Sequence, residues 1–214
     1  MILNFKSEIV TSFKENCYII WSSNNRNAIL CDPGGDPKKI ENSVKKLNVL
    51  IKKIIITHGH IDHVGAAFIL SKLYKVPILG PHIFDNFLIE NLSHQSYMFN
   101  VFPEIKSFKP NVWVNDGDII KLDSHEFKVI HCPGHSPGHV AFWNKNQNIL
   151  LSGDILFNNG IGRIDLPGGD KNKIIGSIKN KILKLCKKNI MLLPGHGESF
   201  FVNPKNINVL LKNL

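Results

Sequence analysis

The chain has 214 residues, 43% of them hydrophobic and 20% charged, which is enough apolar material for a buried core and unlike a disordered or fibrous sequence. No apolar run approaches the ~20 residues that span a bilayer, so an integral membrane protein is excluded and no membrane partner is expected. Lysine and arginine outnumber aspartate and glutamate by 26 to 17, and the net charge of +9 is compatible with nucleic acid, a membrane surface or an anionic substrate.

The first ten residues alternate apolar and polar side chains without a continuous apolar stretch and cleavage site, so no secretory leader is expected. From there the chain alternates short apolar runs with amphipathic stretches. The run 28–31 ends at Asp32-Pro33-Gly34-Gly35, and a helix is predicted over 37–50 with Ile40, Val44 and Leu47 on one face. The run 54–57 ends at His58-Gly59-His60, and a second helix, 64–74, follows His63. The segment 81–110 fits neither period; its aromatic residues, Phe99 and Phe102 among them, point to a helical insertion over the core or a lid. Next come the runs 127–130, ending at His131-Cys132-Pro133-Gly134-His135, and 149–152, ending at Gly153-Asp154. A third helix, 171–188, carries Ile174, Ile178, Ile182 and Leu185 on one stripe and lysines opposite, and the run 190–193 ends at Pro194-Gly195-His196. Runs of four to eight aliphatic residues bounded by turn signals read as buried strands. Five strands therefore deliver a His or Asp at or just beyond one end, in a layered α/β architecture with a site at the strand ends. Nothing marks a boundary within 1–214, which reads as one domain.

The four cysteines, Cys17, Cys31, Cys132 and Cys186, lie far apart without a Cys-x-x-Cys pair, which fits reduced thiols and a cytoplasmic location. Three of ten histidines fall in His58-Gly59-His60-Ile61-Asp62-His63. In an extended turn His58 and His60 point to the same side. As a helix begins, Asp62 and His63 turn toward a neighbouring point, so one short segment offers ligands to two metal positions. His135, Asp154 and His196 stand at three other strand ends, each beside a glycine.

This series, His58-x-His60-x-Asp62-His63 followed by His135, Asp154 and His196, resembles the metallo-β-lactamase superfamily over essentially the whole chain. The resemblance implies a four-layer αββα sandwich of two mixed β-sheets flanked by helices, with metals at one edge. It implies that His58, His60 and His135 bind one ion and Asp62, His63 and His196 the other, with Asp154 bridging. Two divalent ions ~3.5–4 Å apart can share a hydroxide, because a bound water's pKa falls to ~7. That hydroxide attacks a carbonyl, Asp154 offsets charge between the ions, and no protein nucleophile is required. Zinc is the first expectation, and the N/O donors suit iron or manganese too. Asp32 and His131 are candidates to bond and orient ligand imidazoles, although Asp32 is equally a turn carboxylate and His131, like His139, reads as a buried structural residue.

Asp154, where true β-lactamases often use cysteine, places the sequence nearer glyoxalase II, the hydroxyacylglutathione hydrolases, and among them the short bacterial relatives without the C-terminal glutathione-binding helices. The stretch 156–170 looks like theirs. Arg163, one of only two arginines, stands where that family contacts glutathione; the competing reading is a loop salt bridge with Asp165. The expected activity is hydrolysis of a thioester such as S-lactoylglutathione. An alternative is the persulfide dioxygenases, similar in Gly162-Arg163-x-Asp165, which bind one iron through the equivalents of His58, His135 and Asp154. A nuclease is a further alternative, but the lysines are dispersed on helix faces, whereas a nucleic-acid groove concentrates them. The expected partner is thus a small thioester, with no nucleic acid, for a monomer or homodimer.

Overall fold

The computed structural model describes residues 2–186, 189–205 and 207. One sheet is built from β1 (Leu3–Val10), β2 (Glu15–Ser22), β3 (Asn27–Cys31), β4 (Leu50–Ile55) and β5 (Ile78–Leu79), side by side in that order. Its first three strands are antiparallel, and β3, β4 and β5 run parallel. The other sheet contains β6 (Ile119–Leu122), β7 (His125–His131), β8 (Val140–Asn144), β9 (Ile149–Gly153), β12 (Ile190–Pro194) and β13 (Phe200–Val202). Its spatial order is β13-β12-β9-β8-β7-β6, with β9 and β12 the one parallel pair. A small ribbon, β10 (Leu156–Phe157) with β11 (Gly160–Ile161), follows β9.

All five expected strands are present, and the period-2 geometry of a strand explains why they read as continuous apolar runs. In β3, Ile29 and Cys31 face the opposite sheet while Ala28 and Leu30 face the outer helices. In β9, Ile149 and Leu151 face inward and Leu150 outward. Both faces of each strand are buried, so neither can be polar. The outer layer over the first sheet is α1 (Pro37–Leu47) and α3 (Ala67–Tyr74), contributing Ile40, Val44, Ala67 and Leu70. Over the second sheet lies α6 (Lys171–Ser177), continuing through a π-type turn, Ile178–Ile182, into a last turn, Leu183–Leu185. Its residues Ile174, Ile178 and Ile182 are fully buried, as the stripe predicts. The result is the four-layer αββα sandwich of two mixed sheets.

Three expectations change. The helix 64–74 is two pieces, α2 (Ile61–Val64) and α3, so Asp62 and His63 lie inside a helical turn rather than before it. The insertion is helical only in its first half: a 3-10 turn Ile83–Asp85, α4 (Asn86–Glu90) and α5 (Leu92–Met98), followed by a stretch without regular helix. The helix expected to reach Lys188 is described to Leu185, and Lys187 and Lys188 lie outside the described residues. Among the described residues no helix is long and apolar enough to cross a membrane.

Candidate metal centre

Strands β4, β7, β9 and β12 all end at one edge of the sandwich. In the second sheet, β7 and β9 are each antiparallel to β8, and β12 is parallel to β9, so the three point the same way. His58 and His60 follow β4, with His60 extended at the N-terminal boundary of α2. His135 follows β7, Asp154 follows β9 and His196 follows β12. The short helix α2 then brings Asp62 and His63 to the same point.

The geometry collects every one of these seven side chains. His60 Nδ1 and His58 Nε2 lie 2.9 and 3.2 Å from His135 Nε2. His196 Nε2 and His63 Nε2 lie 3.2 and 3.8 Å from Asp62 Oδ2. Between the two groups, Asp154 reaches His63 Nε2 at 3.5 Å through Oδ1; through Oδ2 it reaches His196 and His135 at 3.5 and 3.6 Å. Gly195 is required here by close approach: a Cβ would fall 2.1 Å from Asp154 Oδ1 and 2.6 Å from His63 Cε1.

The far ring nitrogens of His58, His63, His135 and His196 are anchored, whereas His60 Nε2 is buried without a hydrogen-bond partner. His58 Nδ1 meets Thr57 Oγ1 at 3.0 Å, and that hydroxyl donates to Asp32 Oδ2 at 2.6 Å, so the imidazole must be the donor in the first contact. His63 Nδ1 donates to Asp32 Oδ2 at 3.0 Å, His135 Nδ1 to the Arg163 carbonyl at 2.8 Å and His196 Nδ1 to the Phe13 carbonyl at 3.1 Å. These bonds set the tautomers and turn lone pairs on Nε2 of His58 and His135 toward each other with no proton between them. His63 Nε2 and Asp154 Oδ1 are buried without a hydrogen-bond partner. Facing lone pairs and orphaned acceptors are costly in a buried site unless a cation occupies it. The donor set, imidazole and carboxylate without thiolate, thus fits divalent metal ions.

The electrostatics divide the centre. Burial, reinforced by the neighbouring imidazoles, pushes His58 well below the usual histidine range and His60 to about 3. Burial also lowers His135, though Asp154 opposes it. His63 goes the other way: burial disfavours its charge, but Asp154, Asp62 and Asp32 outweigh it and hold the imidazole well above its ordinary value. His196 is likewise raised against burial, by Asp62 and Asp154. Burial alone would raise Asp154, but the surrounding histidines hold it far below the carboxylate range.

Asp32 takes both roles that the sequence left open. Its backbone is left-handed, φ 50°, as a turn residue's can be, and its carboxylate bonds Thr57 and His63. His131 takes the structural role and not the ligand-orienting one: half-buried rather than buried, it stacks on His82 at 4.4 Å and bonds the Pro137 carbonyl, steadying the turn after His135. His139 is structural, its Nε2 accepting from the Asp154 backbone N–H at 3.0 Å. Arg163 lines the cavity, but its guanidinium forks onto Asp165 at 2.8 and 2.7 Å. Cys132 is fully buried, its thiol pushed up to about 12, and is inert.

Sequence reasoning missed Thr57, which joins His58 to Asp32, and Glu15, a fully buried acid 3.9 Å from His63 Nδ1 whose oxygens lack partners and whose carboxyl burial pushes well above the usual carboxylate range. Neither leaves a local signal; both depend on contacts between distant strands. Above the centre opens a cavity of about 300 Å³, walled by Phe13, Phe99, Phe157 and Leu166 and floored by the metal-site residues.

Residues 10–196 match the family described as the Metallo-beta-lactamase superfamily. The chain is 40% identical over 196 residues to the hydroxyacylglutathione hydrolase GloC of Haemophilus influenzae, covering 91% of each chain. Among solved structures it resembles the BLEG-1 B3 metallo-beta-lactamase (TM-score 0.85, 29% identity, 94% of this chain and 96% of that one). It also resembles TTHA1623, crystallised in a di-iron-bound form (TM-score 0.80, 31% identity, 92% and 94%). The chain belongs to the metallo-beta-lactamase superfamily and is a metal-dependent hydrolase.

Proposed function

We propose that the chain hydrolyses a thioester of a small acyl group, S-lactoylglutathione or a close S-acyl thiol. The observation that carries this reading is the convergence of seven histidine and aspartate donors beneath a small cavity, in a chain 40% identical to a hydroxyacylglutathione hydrolase along nearly its whole length. His58, His60 and His135 would hold one ion and Asp62, His63 and His196 a second, with Asp154 between them; zinc suits the set, and the di-iron relative makes iron the other candidate. Two such ions supply a water acidified to a pKa of about 7 and a Lewis acid for the carbonyl.

The chain's own residues do the rest. Asp32, Thr57 and the Arg163 and Phe13 carbonyls keep the imidazoles in the tautomer that turns lone pairs inward. Phe13, Phe99 and Phe157 exclude water around the acyl group. A thiol of pKa about 8.5 departs as thiolate, so no dedicated acid is needed. Arg163 is the candidate grip for an anionic thiol arm. Its pair with Asp165 is exposed to solvent and therefore weak, so a substrate carboxylate can displace Asp165 at little cost. The buried free cysteines support a cytoplasmic setting, and the scattered lysines support a small-molecule rather than a nucleic-acid partner.

Purified protein carrying two zinc or iron equivalents is expected to cleave S-lactoylglutathione, His58→Ala to abolish this, and Arg163→Ala to raise KM more than it lowers kcat. Absence of hydrolysis, with oxygen consumption on glutathione persulfide and one iron per chain, would overturn the reading in favour of a dioxygenase.

A further inference from the structure

The insertion covering the core contains a buried acid that nothing above employs. Asp85 is fully buried, and burial pushes its carboxyl up to about 6 against three hydrogen bonds that hold it down. It sits at the N-terminal boundary of α4, where an aspartate ordinarily accepts from the first amides of its own helix, yet it makes no such cap. Its oxygens are spent on two other segments. Oδ2 accepts from the Gly59 N–H at 2.9 Å and the Ser136 hydroxyl at 2.7 Å, and Oδ1 accepts from the Gly138 N–H. Gly59 lies between His58 and His60; Ser136 and Gly138 follow His135. One carboxylate thus ties together the two loops that carry the three imidazoles of one metal position.

A second side chain of the insertion completes the hold. Gln95, on α5, accepts from the Ile61 N–H at 3.0 Å and donates to the Gly59 carbonyl at 3.3 Å and the Leu88 carbonyl at 2.8 Å. The backbone from Gly59 to Ile61 is therefore bonded from both sides by residues of the insertion. The fit leaves no slack at Gly138, where a Cβ would lie 2.5 Å from the Asp85 amide nitrogen and 2.7 Å from its carboxyl carbon.

We infer that Asp85 and Gln95 are positioning residues that set the spacing of His58, His60 and His135, and that the insertion is a brace for that metal position rather than a lid. This rests on the metal assignment proposed above. A carboxylate can accept all three bonds, whereas an amide offers one acceptor oxygen and turns an NH₂ toward one of the donors. Asp85→Asn removes the match without changing volume. Gln95→Leu removes the acceptor for Ile61.

The test is a zinc competition titration against a chromophoric chelator, together with the visible spectrum of the cobalt-substituted protein, on wild type, His58→Ala, Asp85→Asn and Gln95→Leu. Loss of outer-sphere support typically costs 10–100-fold in metal affinity. Asp85→Asn and Gln95→Leu are expected to lose about tenfold or more at one of two sites and to shift the cobalt bands, with kcat falling and KM held. A folded variant of either residue with wild-type zinc affinity and cobalt spectrum overturns the inference. Should both variants fail to fold, Ser136→Ala, which deletes one of the three bonds, is read by the same measurements and the same criterion. If His58→Ala itself leaves zinc binding unchanged, the metal assignment fails, which is a separate result.

Discussion

Thr57 shows how much of this centre depends on a single hydroxyl. It accepts from His58, donates to Asp32, and its amide donates to Asp32 as well, so one residue links the imidazole of one proposed metal position to the carboxylate that orients His63 in the other. Thr57→Val keeps the shape but leaves His58 Nδ1–H without an acceptor in a fully buried place. An unsatisfied buried donor costs about 1–3 kcal/mol, and loss of an outer-sphere partner typically 10–100-fold in metal affinity. Thr57→Val is accordingly expected to bind zinc at least tenfold more weakly while melting as a folded protein; unchanged affinity would show that the bond does not tune the site. The donors themselves were legible because a His or Asp at the end of an apolar run has few structural reasons to be there. Thr57 was not, since a threonine ending a strand is ordinary. Arg163 was legible as unusual, yet its fork onto Asp165 depends on loop geometry.

At the scale of elements, the helical stretch beginning with α6 separates stability from chemistry along its length. Its start is tied to the turn bearing His135: the Asp170 N–H donates to the Gly134 carbonyl at 2.7 Å, and the Ser177 hydroxyl to the Pro133 carbonyl at 2.8 Å. Its far end, at Ile182, packs fully buried against the outer face of the second sheet, remote from the ligands. Ile182→Ala is expected to lower unfolding free energy by about 2–5 kcal/mol in denaturant titration, with kcat/KM of the folded enzyme unchanged. A fall in kcat/KM comparable to that caused by Ser177→Ala would mean that the element acts as one rigid lever. The stripe of Ile174, Ile178 and Ile182 announced this helix from sequence because four-residue spacing keeps side chains on one face. The split between α2 and α3 was hidden, because the apolar pattern runs through Gly65-Ala66 without interruption.

For the molecule as a whole, both sheets contribute to each half of the centre, and the two halves are chemically unlike. In the His58–His60–His135 group burial lowers the imidazoles below their usual range, whereas in the Asp62–His63–His196 group the neighbouring carboxylates raise both imidazoles above it. A proton competes with a metal ion wherever the ligand's pKa is raised, so acidification favours release from the second group first. Between pH 7.5 and 5, metal analysis after gel filtration is expected to show one equivalent lost well before the other. Simultaneous loss of both ions would contradict the division. The net charge of +9, by contrast, has no focus at this edge, where Arg163 is the basic side chain that lines the cavity over the metal centre.

The sequence by itself singled out the seven candidate donors, which the structure brings together, and determined the layered α/β architecture. Strands buried on both faces must be apolar throughout, which makes any polar residue at their ends conspicuous. Only the tertiary structure decided what those donors lean on. Asp32 is reached from Thr57 and His63, and Asp85 from Gly59, Ser136 and Gly138, across separations of 25 to 53 residues. Glu15 is buried beside His63 at the start of β2, a strand buried along nearly its whole length. Periodicity records which face of an element is covered, but not which residue of another element covers it. The supports of the site are of that second kind, and they exist only once the two sheets and the insertion have met.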